Sequence, residues 1–154
     1  MPQDRTLFER NHASTERIRT LAARLTDEQL LHPVGEHWTV AVALIHLAFW
    51  DRRALDLLDK SEGEGKLSAP EIDIVVNDIS LPFWKAIPPR KAAQIAIETA
   101  EALDKRLEGF PFPLLEEVRA ARERWVERSL HRNEHLDEIE AVLNSQGNFD
   151  VTMV

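Results

Sequence analysis

The segment "HRNEH" places His131 and His135 four residues apart, in a stretch whose apolar spacing is helical. Four residues turn a helix slightly past one revolution, so the two rings lie about 40° apart. Imidazoles so placed can aim one nitrogen each at a common point, which is why the spacing recurs in metal sites. The same spacing also arises in solvated pairs on acidic helices. Val142 falls between the two on the helical wheel and Ile139 lies beside His135, which sets the pair at the border of a buried face. A third imidazole, His46, lies in "VALIHLAFWDRRAL", with Val42, Phe49, Trp50 and Leu57 within about 60° of it on the wheel. It faces inward, and a buried imidazole needs a partner for each nitrogen. That partner is a carbonyl or carboxylate in a plain core, or an ion in a site. An inward His46 and an inward His131/His135 pair can meet across a helical core. Three neutral imidazoles would leave a divalent metal ion (zinc, nickel, manganese or iron) with open positions for water or substrate. His12, His32 and His37 lack such support and read as surface residues, with His37 able to approach the bundle mouth.

The chain contains neither cysteine nor tyrosine. Disulfides, thiolate-ligated zinc, a protein thiol nucleophile and a phenolic acid or base are therefore excluded. Any catalysis rests on a bound ion, helped by carboxylates that orient a ligand ring or accept a proton. Asp51, Glu134 and Glu138 are the candidates, each weighed against a solvated carboxylate. Arg53 lies about 20° from His46 on the wheel, placed to meet an anionic substrate or to close a salt bridge at the bundle edge. Among Trp38, Trp50, Trp84 and Trp125, the pocket candidate is Trp50, one turn after His46; the alternative for all four is core.

The elements that must carry these residues are helical almost throughout. A first helix is expected over about Arg5 to Leu25, with Ile18, Leu21 and Leu25 inward. "TDEQ" at Thr26 is a capping box, and Thr39 an N-cap for a helix over Val40 to Lys60. "SAPE" at Ser68 reads as a second capping box, starting a helix from Pro70 to about Ser80; β-prone "IVV" is the competing strand. Pro82, Pro88 and Pro89 are expected to interrupt the chain. A third long helix follows over Arg90 to Leu107, and a last one over Leu114 to Ser145, with a join near Trp125. These are the four principal helices of an all-α bundle in one domain, 1–154, with 145–154 a peripheral tail.

The length of 154 residues and a hydrophobic fraction of 44% suffice for one core. No apolar run reaches membrane-span length, and the charged "MPQDRTLFER" start lacks a signal-peptide core; the cytoplasm is the expected location. A net charge of −8 disfavours nucleic acid. The arginines at 119, 122, 124, 128 and 132 alternate with glutamates and read as a helix face with paired charges.

"WTVAVALIHLAFWD", followed in the last helix by "HRNEHLDEIEAVL", resembles the DinB/YfiT-like superfamily, and "VVNDISLPFWKAIPPRKAAQIAIETAEAL" is similar to its third-helix region. The resemblance covers about Trp38 to Leu143 and lies in the order and spacing of short motifs. It implies an up-down-down-up four-helix bundle, usually a homodimer. It also implies a divalent metal on three histidines, which by position are His46, His131 and His135. Characterised relatives include transferases and isomerases that use low-molecular-weight thiols such as mycothiol, bacillithiol or glutathione. The chain departs from many relatives between its third helix and "HRNEH", where a compact charged stretch replaces a longer loop over the pocket. Three readings follow: a metal-dependent enzyme acting on a small-molecule substrate with such a thiol, a metal-binding bundle without catalysis, and a dimerisation or interaction module.

Overall fold

A computed structural model describes residues 5–145 in full and, beyond them, the helical backbone to Met153. The expected peripheral tail at 145–154 falls largely on side chains outside the described residues; the backbone of the last helix runs on through it. The chain is all-α apart from one very short hairpin: α1 Thr6–Arg24, α2 Asp27–Leu30, β1 Pro33–Val34, β2 Trp38–Thr39, α3 Val40–Glu64, α4 Val76–Lys85, α5 Pro89–Glu108, α6 Phe112–Ala121, α7 Glu123–Val126 and α8 Ser129–Met153. Among the described residues no helix is long and apolar enough to cross a membrane.

The helices α1, α3, α5 and α8 form a four-helix bundle, and two apolar clusters give their directions. One cluster joins Leu7 and Phe8 of α1 to Leu57 and Leu58 of α3, Leu103 and Leu107 of α5, and Val126 just before α8. The other joins Ile18 and Leu21 of α1 to Val40 and Leu44 of α3, Ala92 and Ala96 of α5, and Leu136 and Ile139 of α8. α1 and α8 therefore run one way, and α3 and α5 the other: up-down-down-up. The stretch from Gly65 to Pro88 is long because α3 and α5 are parallel, and it must return the chain the length of the bundle. In cross-section the order is α1, α5, α3, α8, so α3 and α8 are neighbours.

Local chemistry sets most boundaries. The Thr26 capping box is present: Gln29 N donates to Thr26 Oγ1 at 3.1 Å and Thr26 N to Gln29 Oε1 at 2.9 Å. Thr39 caps α3 through Val42 N at 3.2 Å. α3 runs one turn past Lys60 and stops at Gly65, whose φ of 72° is the left-handed conformation glycine tolerates best. The "HPVGEHW" connection forms the antiparallel hairpin, with Pro33 opposite Thr39 and Val34 opposite Trp38. Gly35, at φ 73°, supplies the positive φ of its three-residue loop.

Two expectations need correction. Ser68 starts no helix: its N–H donates at 2.9 Å to the hydroxyl of buried Ser61, tying the segment back to α3. The turn into α4 is instead closed by Asp73, whose Oδ1 accepts from Val75 N at 2.9 Å, and the helix begins at Val76. Pro82 does not interrupt α4, which continues to Lys85; the carbonyl left without an N–H partner is that of exposed Asp78, which faces water. The join expected near Trp125 is present: the chain bends at Arg122 and again at Glu127, leaving α7 as a single turn around Trp125. Buried Asn11 compensates the second bend, donating from Nδ2 to Val126 O at 2.9 Å and accepting Ser129 N at 3.0 Å.

Candidate metal centre

Buried α3 and the start of α8 bring His46, His131 and His135 together. Ring centroids are 5.2 Å apart for His46–His131, 4.6 Å for His46–His135 and 4.8 Å for His131–His135. One ligand nitrogen from each ring lies within 4.8 Å of the others. The Nε2 atoms of His46 and His131 are 3.3 Å apart. Two nitrogens at about 2.05 Å from a tetrahedral ion would stand about 3.3 Å apart, so this pair already has the required separation. Nδ1 of His46 and Nδ1 of His135 are buried without a hydrogen-bond partner; Glu138 Oε2 stands 3.4 Å from the latter, outside hydrogen-bond geometry. Number, atom type and convergence of the donors fit a divalent ion.

Burial keeps two of the rings, His46 and His131, neutral. Burial, followed by His135 and Arg128, pushes His46 down to about 3, with Asn77 opposing. Burial also lowers His131, followed by Arg128 and then the other two rings. Neutral imidazole is the form that binds metal.

The triad lines a cavity of about 410 Å³, together with Trp38, Trp50, Ile74, Asn77, Arg124, Trp125, Arg128 and Glu134. The hairpin holds Trp38 over the site, its ring 4.6 Å from His46 and 5.9 Å from His135. Trp50 is fixed by its Nε1–H, which donates to Asn77 Oδ1 at 3.0 Å. Trp84 is buried, 5.7 Å from His46, as a core residue behind it. Glu134 sits at the wall, paired with Arg124 at 2.7 Å.

Two sequence candidates lie elsewhere. Asp51 is buried away from the cavity and binds Arg128 Nε at 2.8 Å and Arg132 Nε at 3.1 Å. Arg53 stacks over Trp125 at 4.8 Å, donates to the Pro70 carbonyl and does not line the cavity. His12 pairs with Glu108 at the surface, His32 is half-buried outside the triad, and His37 is exposed beside Glu36. Arginines of the run are paired, but two of them inside the core and with acids from other helices. Arg128 and Arg132 are buried, and Arg132 donates to Asp51, Asp104, Ser14, Thr15 and the carbonyls of Asn11 and Ala100. Their acids come from α3 and α5, so spacing along α8 carried no sign of them. Arg128 in turn donates from Nη2 to His131 Nδ1 at 3.0 Å.

A comparison with protein families matches residues 10–152 to the DinB superfamily. The chain belongs to the DinB superfamily. No curated protein and no solved structure matches it. Membership accords with the helical bundle and with a histidine group able to hold a metal ion.

Proposed function

We propose that this DinB-superfamily protein is a divalent-metal-dependent enzyme that transfers a low-molecular-weight thiol to an electrophilic small molecule. The observation that carries the reading is the convergence of three imidazoles at the wall of an open, tryptophan-lined cavity. Held by His46, His131 and His135, a divalent ion would lower the pKa of a bound thiol or water and so supply a nucleophile at neutral pH. The chain's own residues do the rest. His46, His131 and His135 hold the ion; Trp38, Trp50 and Trp125 exclude water and pack the apolar part of the substrate. Glu134, at the wall, is the carboxylate positioned to take a proton from an incoming thiol.

A second reading, an interaction or homodimerisation module, draws on the exposed apolar residues Ile74, Ile79 and Phe83 before and along α4. Metal analysis after supplementation separates the two. The enzyme reading expects about one equivalent of divalent metal in wild type and little in His46→Ala, with metal-dependent loss of free thiol when an electrophile is added. Equal metal in wild type and variant would refute the ligand set; metal without thiol consumption would leave a binding protein.

A further inference from the structure

The contact between Arg128 and His131 constrains where the ring can carry its proton. A guanidinium has N–H donors and no acceptor. Its Nη2 stands 3.0 Å from Nδ1 of His131, so Nδ1 must offer its lone pair. A neutral imidazole has one lone pair and one N–H. The proton of His131 is thereby placed on Nε2, the atom that faces His46 Nε2 across 3.3 Å. A neutral ring that gives Nε2 to a metal must carry its proton on Nδ1, where it would confront an arginine N–H, donor against donor. Ligation by His131 and the Arg128 contact exclude each other, short of a ring stripped of both protons.

Arg128 lines the cavity, so a guanidinium leaving Nδ1 has that space before it. Its Nε bond to Asp51, at 2.8 Å, is the pivot, and because the fork is planar Nη1 gives up the Arg124 carbonyl, also at 2.8 Å, as Nη2 turns away. The carboxylates nearby are matched already: Asp51 and Asp104 with Arg128 and Arg132, Glu134 with Arg124. Among the described residues, half-exposed Glu138, near His135, is the remaining one beside the triad. A dication on neutral rings would bring two charges against that one, so the cavity favours an anionic ligand.

We infer that Arg128 switches between His131 and an anionic group of the ligand, so that metal and a small carboxylate with a flat apolar body bind cooperatively. This rests on the triad being the metal centre. An anion in the cavity takes up Nη2, Nδ1 is released, the ring proton moves to it, and Nε2 is free to ligate. The flat body packs against Trp38, Trp50 and Trp125.

The test is calorimetric titration of zinc into the chelator-stripped full chain, alone, with benzoate, and with benzamide as the uncharged analogue. Benzoate should tighten zinc about tenfold, inside the usual range of coupling between sites, and benzamide should not. Arg128→Gln should bind zinc about tenfold more tightly than wild type without any anion, and lose the benzoate effect. Arg128→Lys serves if the glutamine variant does not fold: its ammonium can stay on Asp51 but cannot span to His131 as well. Long-range NMR of the His131 ring should find Nε2–H in the stripped protein and Nδ1–H with zinc. Variants that bind zinc equally or more weakly would overturn the switch. So would a benzoate effect that survives in them, the anion then sitting on the metal itself, or Nδ1–H in both NMR states. Wild type that binds no zinc would bring down the metal centre and the switch together; zinc bound without coupling would bring down the switch alone.

Discussion

At the scale of single residues, burial makes two of the imidazoles pH-sensitive supports of the fold. His46 is pushed down to about 3 and His131 is lowered as well, in both cases chiefly by burial. In an unfolded chain they titrate near about 6.5. Between those limits the unfolded chain binds more protons than the folded one, so stability rises with pH. It is complete above about pH 6.5 and falls as the pH drops toward about 3. Each ring that is neutral folded and protonated unfolded adds about 1.4 kcal/mol per pH unit to that slope. Urea unfolding of chelator-treated protein between pH 6 and 5 should show this slope in wild type and a slope smaller by about one such increment in His46→Gln. Identical slopes would place His46 in contact with water. The inward face of His46 was legible on a helical wheel because its apolar neighbours share its own helix. Arg128 at the back of His131 was not, since nothing in an Arg-x-x-His spacing distinguishes a hydrogen bond from two solvated side chains.

At the scale of elements, the buried polar knot on α8 decides how the helices are registered. Arg132 is fully buried and bridges Asp51 of α3, Asp104 of α5 and the Asn11–Thr15 turn of α1, thereby touching all three partner helices. Its many donors are satisfied, which is the condition under which a buried ion pair is tolerable. Removing one member leaves the others charged and dry. Arg132→Ala should cost about 3–5 kcal/mol in urea unfolding, and Arg132→Lys a large part of that, because an ammonium cannot fill a planar fork. A loss below 1 kcal/mol would mean that water reaches the knot. The run from Arg119 to Arg132 alternates with glutamates as charges paired along one helix face would, but it spans α6, α7 and the start of α8, and the partners of Arg128 and Arg132 lie on other helices. Capping residues fared better where the motif is complete within one turn, as at Thr26 and Thr39. Ser68 misled because its backbone is held by Ser61, a contact with α3 that no local window contains.

At the scale of the whole molecule, periodicity gives the inward face of each helix but not its neighbour. The resemblance supplied the up-down-down-up order, and the two apolar clusters establish it. In that order α3 and α8 are antiparallel neighbours, and the triad is a direct tie between them. An ion held by His46 on one helix and His131 and His135 on the other would bind the folded chain and find no such cluster in the unfolded one. Binding of this kind stabilises by mass action, about 2.7 kcal/mol at a hundredfold excess over Kd. For a chain of this size that corresponds to a rise in Tm of roughly 5–11 °C. The rise should appear on adding zinc, reverse with a chelator, and be absent in His46→Ala, although that variant keeps two of the three ligands. Two histidines one turn apart on α8 can bind an ion without joining α8 to α3, so a shift that survives in His46→Ala would show the ion resting on the last helix alone. A shift that needs His46 would make the ion a tie between the second and fourth helices of the bundle, and metal loss should then loosen those two helices before the others in hydrogen exchange.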